Sequence, residues 1–194
     1  FIGDFLTDVS ITTLQNEFPK FQHRGRVDGP LFHFVHKDGT RRLLMVNGQI
    51  ARDKEGNFLR THCIMTDLTE RLQSAEQLKL AAAVFEQSAE GIMITDAGYN
   101  VVMVNQAYSA ITGYSAAEVI GKPPPVVSSG YQDEQFLSAV WDEVKANGHW
   151  HGEIWNRRKD GDVYPELVSI SRVLDADGEI GHYIAIVTDI SEHK

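Results

Sequence analysis

A block of the chain occurs twice, and this repeat constrains the fold more than any other feature. Shifting the sequence by 122 residues places Lys37-Asp38-Gly39 on Lys159-Asp160-Gly161, Val46 on Val168, Asp53 on Asp175 and Gly56 on Gly178. Thr66-Asp67 then falls on Thr188-Asp189 and Glu70 on Glu192, without a gap. Each Asp-Gly or Asp-x-x-Gly element supplies a turn, and the runs between them alternate apolar and polar side chains. Holding register through two turns and two strands requires turn chemistry and pleat period to agree, so the chain is predicted to hold two copies of one domain.

In the second copy the block reads as three consecutive antiparallel strands. They are Trp150 to Arg157, Val163 to Val173 and Glu179 to Val187, stopping at Thr188-Asp189. Ahead of them, Gly91 to Asp96 and Val101 to Val104 read as two more strands joined by the turn Ala97-Gly98-Tyr99-Asn100. Asn105 can cap a helix reaching Ile111 and stopped by Gly113, and Ser115-Ala116-Ala117-Glu118 is a capping box. Lys122-Pro123-Pro124-Pro125 forms a stiff loop. A helix over Asp133 to Ala146 shows Phe136, Leu137, Val140, Trp141 and Val144 on one side. This order predicts an α+β domain, a five-stranded antiparallel sheet with its helices gathered on one face.

The first copy is expected to be incomplete. Residues 1–67 offer a helix near Val9 to His23, bent at Pro19, and three strands, but no counterpart of the two opening strands. Its beginning at Phe1 reads as that of an excised fragment, the missing half lying upstream or being supplied by another chain. Residues 68–86 form the connector, Thr69 to Phe85 being rich in Leu, Ala, Glu and Gln without Gly or Pro. Leu68, Leu72, Ala75, Leu78, Ala82 and Phe85 make a stripe that either packs on its own domain or pairs two chains as a short coiled coil. The complete second copy covers residues 84–194.

Charge and composition exclude several functions. A net charge of −9 opposes nucleic acid and anionic lipid, and no apolar run approaches the roughly 18 residues of a membrane span. The single cysteine, Cys63, reads as a core residue of a strand. With no disulfide framework available, the chain fits a reducing, cytoplasmic setting. No catalytic motif is present, neither GxSxG, HExxH nor a phosphate loop, so the fragment is read as non-enzymatic. His149 and His151 share a strand face, but no third ligand is placed beside them, so no metal site is assigned.

The segments ITDAGYNVVMVNQAYSAITGYSAAEVIGK and GHWHGEIWNRRKDGDVYPELVSISRV, with the closing DIS, resemble PAS domains, the small sensory modules of bacterial signalling proteins. The resemblance covers Val84 to Lys194 fully and extends to residues 1–72 as a second-half PAS unit ending in DLT. It implies a tandem PAS module with a helical linker. It also implies a pocket enclosed between sheet and helices, and a place ahead of an effector such as a diguanylate cyclase or histidine kinase. A light-sensing cysteinyl-flavin adduct is excluded because Lys122 to Tyr131 contains no cysteine. Haem is disfavoured because Asp133 to Ala146 contains no histidine. FAD leads, because Ser128-Ser129-Gly130, Trp150-His151-Gly152, Asn156 to Asp160 and Tyr164 to Leu167 resemble a redox-sensing PAS domain of nitrogen-fixation regulators.

On this reading the pocket residues are Asn105, Ser128, Trp141, Trp150, Asn156 and Glu166. Trp150 is the ring wall, Gly152 leaves space beside it, and Asn156 and Ser128 supply a polar edge. A different small ligand and an empty, purely structural domain are the alternatives. Asp67 and Asp189, each between a strand and a following helix, are the expected relay residues. Two functions stay open: a sensor that passes ligand or redox state through helices to an output domain, or a ligand-free interaction module that forms a homodimer.

Overall fold

The computed structural model describes residues 2–125 and 130–193, which divide into a unit of residues 1–79 and a unit of residues 80–194. The boundary falls inside one helix, α2 (Thr69–Gln87), which carries no buried residue along its length.

The second unit is a five-stranded antiparallel sheet. Its strands are β5 (Gly91–Asp96), β6 (Val101–Val104), β7 (His149–Arg157), β8 (Val163–Leu174) and β9 (Ile180–Asp189), in the order β6-β5-β9-β8-β7. Helices α3 (Gln106–Thr112), α4 (Ala116–Val119) and α5 (Glu134–Asn147) are inserted between β6 and β7. The local signals act where the sequence puts them. Asn105 caps α3, accepting from the Tyr108 amide at 2.9 Å, while Ser115 and Glu118 close a capping box on α4. Asp133 caps α5, and Gly148 ends it at φ +88°.

The alternation of β8 turns Tyr164, Glu166, Val168 and Ile170 inward. There Val168 and Ile170 join Val140 and Val144 of α5 in the core, with Val101, Val104, Tyr108, Val119, Tyr183, Ala185 and Val187 completing it. Gly91 lets β5 approach α3, because a Cβ there would lie 2.6 Å from the Val187 side chain and 3.0 Å from the Tyr108 backbone.

The first unit contains α1 (Asp8–Arg24) and the strands β1 (Arg26–Val27), β2 (Leu31–Val35), β3 (Arg41–Arg52) and β4 (Phe58–Asp67). Four strands stand where three are predicted. β1 and β2 lie along one edge of β3, separated by Asp28-Gly29-Pro30, where Gly29 takes φ +80° and Pro30 has no amide to donate.

The register repeats with the sequence. Leu44 stands opposite Asp67 as Glu166 stands opposite Asp189, and Leu31 faces Met45 as Glu153 faces Leu167. The irregularity between Ala51 and Arg52 recurs between Val173 and Leu174. The two units differ at the outer edge, where β9 pairs with β5 but β4 is exposed along its whole length. That difference corrects the reading of Cys63 as a core residue. Cys63 is exposed, because no described strand pairs with the far side of β4. Among the described residues, no helix is long and apolar enough to cross a membrane.

Candidate functional site

Between the sheet and the helices of the second unit lies a cavity of about 760 Å³. Its floor is the inward face of the sheet, including Met93, Thr95, Val168, Ile170, Ala185 and Val187, and its roof is α5 with Leu137, Val140 and Trp141. The volume falls within the roughly 300–1,000 Å³ of small-molecule sites, and most of the lining is apolar.

An aromatic cluster sets one end. Tyr99 stacks on Tyr183, ring centroids 5.2 Å apart and planes within 10°, and Trp141 meets Tyr99 edge-on at 4.7 Å. Tyr99 is the one described non-glycine residue with positive φ, at 66°. A left-handed tyrosine costs on the order of 1–2 kcal/mol, and the turn of Asp96 to Asn100 holds it there. Nearby, Thr95 is 4% exposed and its hydroxyl has no hydrogen-bond partner. A buried hydroxyl without a partner costs free energy.

The other end is polar and connected. Glu166, 4% exposed, accepts from the Tyr164 hydroxyl at 2.7 Å and from the Asn156 amide at 3.1 Å. Burial pushes the Glu166 carboxyl above the usual range, against the downward pull of its Tyr164 and Asn156 bonds and of Arg158. Burial likewise raises Tyr108, to about 12, and raises Tyr164. The Arg158 guanidinium lies 3.8 Å from the centre of the Tyr164 ring and donates to the Ile111 carbonyl and to Asp189. Asp189 accepts from the Ser191 amide at 2.9 Å and from the Ser191 hydroxyl at 2.6 Å. Burial disfavours its charge, but the Ser191 and Arg158 bonds prevail and hold the carboxyl below its usual range.

Of the residues singled out from sequence, Trp141, Asn156 and Glu166 line the cavity. Trp150 does not. Its ring folds back over Gly152, within 2.6 Å of where a Cβ would stand, and meets Phe136 edge-on at 6.2 Å. Gly152 does open a space, but the neighbouring tryptophan fills it, and Trp155 and Ile154 line the cavity instead. Asn105 also lies outside the cavity. Its side chain is saturated by the Ile92 and Tyr108 amides and by the Phe85 and Glu90 carbonyls, at 2.8–2.9 Å. Ser128 lies outside the described residues.

Asp67 repeats the junction of Asp189 by accepting from the Thr69 amide at 2.9 Å, and Leu68 donates to the Leu43 carbonyl as Ile190 does to that of Pro165. Asp67 faces Arg42 at 3.7 Å. His151 meets the Ser169 hydroxyl at 2.7 Å, and His149 is exposed. Sequence reasoning missed Thr95, Tyr99 and Trp155. Arg158 and Tyr164 stand in the segments that carry the resemblance but were given no role, although Tyr164, two positions before Glu166, lies on the same strand face.

Comparison with known proteins follows the same outline. A PAS domain family model matches residues 89–192. The nitrogen fixation regulatory protein of Klebsiella oxytoca is 33% identical over 106 residues, 55% of this chain and 21% of that protein. The chain thus spans about a fifth of that relative. A solved PAS domain from Colwellia psychrerythraea has a TM-score of 0.56 at 25% identity, covering 60% of this chain and 98% of that one. An RNA-binding light-oxygen-voltage receptor shares the fold across 99% of this chain and 85% of its own, with a TM-score of 0.51 at 15% identity.

Proposed function

The chain belongs to the PAS domain family, and from that premise we propose that residues 84–194 sense a small ligand or redox cofactor and pass its state to an output domain. One observation carries the reading. The cavity is largely apolar, and its lining carries an unpartnered buried hydroxyl, Thr95, at one end and a buried carboxyl, Glu166, at the other. PAS domains are sensory rather than catalytic modules, which fits a cavity built to hold a molecule.

FAD is the leading candidate. A flavin ring needs apolar or aromatic walls and a polar edge. Here Trp141, Trp155 and Val168 would provide the walls, and Asn156 and Glu166 the edge. When bound, FAD supplies a redox couple, and the chain's own part is to bind it, orient it and exclude water. The 33% identity to a nitrogen fixation regulatory protein agrees with the resemblance to a redox-sensing PAS domain that puts FAD first. Residues 1–67 are proposed to be the second half of another PAS unit, on the strength of the repeated register.

The test is a visible absorption spectrum of freshly purified protein, with mass spectrometry of what heat releases. A flavin spectrum that weakens in Asn156→Ala, with the unfolding midpoint kept, is the expected result. A featureless spectrum and an empty extract would overturn the cofactor reading. An interaction module is then favoured, supported by the exposed Leu72, Leu78, Leu80 and Val84 of α2. On that reading two chains pair through α2, and sedimentation would show a dimer that Leu78→Glu dissociates.

A further inference from the structure

The polar end of the cavity and the C-terminal junction of the domain share one unbroken set of contacts. Glu166 and Asn156 line the cavity. The Tyr164 hydroxyl donates to Glu166, the Arg158 guanidinium lies on the Tyr164 ring, and the same guanidinium donates to Asp189. Asp189 in turn holds the amide and hydroxyl of Ser191. We propose that Tyr164 and Arg158 are positioning residues that couple Glu166 in the cavity to Asp189 and Ser191 at the exit of the domain.

The chemistry of each link suits this role. A tyrosine can serve two neighbours at once, its hydroxyl bonding a carboxylate while its ring face attracts a guanidinium. The planar fork of Arg158 lets it hold the Ile111 carbonyl at the end of α3 and the Asp189 carboxylate together, which a lysine could not. Arg158 also faces Asp162, whose carboxylate lies 3.7 Å away and is largely exposed. The bond to Asp189 is the better shielded of the two, the side chains of Arg158 and Asp189 being 20% and 29% exposed. A cavity ligand that bonds Glu166 competes with Tyr164 for the carboxylate. Any shift of the tyrosine ring then moves the support under Arg158. Coupling of this kind is reciprocal, so the state of the junction must also alter affinity in the cavity.

A second route exists and must be separated. Glu166 stands directly opposite Asp189 on β8 and β9, so the two carboxylates also act on each other through space. Tyr164 lies on the first route and not on the second.

The relay deepens the sensory reading and rests on it for the cavity's occupant, but its test uses the full chain without added ligand. Amide hydrogen exchange is followed at Ile190 and Ser191 in wild type, Glu166→Gln, Tyr164→Phe and the double variant. The Ile92 amide, held by Asn105, serves as a control. Each single substitution is expected to speed exchange at Ser191 by about tenfold, with the control unchanged. In the Tyr164→Phe background, Glu166→Gln is expected to add less than about twofold. Multiplicative effects in the double variant, or no effect of Tyr164→Phe, would overturn the relay in favour of the cross-strand route. A chain whose exchange follows the relay but whose spectrum shows no flavin would keep the coupling and discard only the FAD reading.

Discussion

Two residues show how burial decides a role that sequence leaves open. Glu166 is a carboxyl in an apolar cavity, held by Tyr164 and Asn156, and burial raises its pKa in the folded chain. The folded protein then binds this proton at a pH where the unfolded chain has released it. Stability from this group is therefore full below the ordinary carboxylate range and is lost as pH rises through the folded value. Glu166→Gln is expected to raise the thermal midpoint by a few degrees at pH 7.5, with the gain vanishing near pH 4. A midpoint difference independent of pH would contradict this account. Asn105 teaches the opposite lesson. Its amide serves four backbone groups, from α2, the loop that follows it, β5 and α3, so Asn105→Ala leaves donors and acceptors unpaired. Urea unfolding should show a loss of about 3 kcal/mol, the sum of a lost cap and unpaired groups, while the cavity lining stays intact.

The elements were the most legible part of the chain, because turns, caps and pleat period are local. β5 and β6 occupy the residues read from sequence, α3 starts after the Asn105 cap, and α5 runs one residue later than predicted. The inward face of β8 was legible for the same reason, and it delivered Glu166 to the cavity. What failed was packing between elements. Periodicity put Trp150 on the same strand face as Asn156, yet could not say that its ring would lie over Gly152. Likewise no pattern announced Tyr99, whose backbone takes a conformation unusual for its residue type. The close approach of β5 to α3 is another such fact, and it is testable. Gly91→Ala forces a methyl against Val187 and the Tyr108 backbone, so a loss of about 1–3 kcal/mol is expected in denaturant unfolding. An unchanged midpoint would mean that α3 moves away from the sheet without cost.

At the scale of the whole molecule, the two units differ in how much core they own. Among the described residues, the second buries eleven apolar residues in one cluster, whereas the cluster in the first is Leu6, Phe32 and Val46, with Ile11, Leu14 and Phe34 packed against it. The first also leaves β4 exposed, with Phe58, Leu59 and Ile64 at 50–72% relative accessibility. A small core beneath an open strand edge makes a weak cooperative unit, because little apolar area offsets the chain entropy. The sequence carries its own probes for the two halves. Trp141, Trp150 and Trp155 all belong to the second unit, and Cys63 reports on the first. On titration with urea, far-ultraviolet circular dichroism is expected to fall in two steps. Tryptophan fluorescence should follow only the later one. The Cys63 thiol, already exposed in the native chain, should react with a disulfide reagent before either transition. Coincident dichroism and fluorescence curves would show instead that α2 couples the units into one cooperative block, and the boundary near Lys79 would then be one of geometry and not of stability.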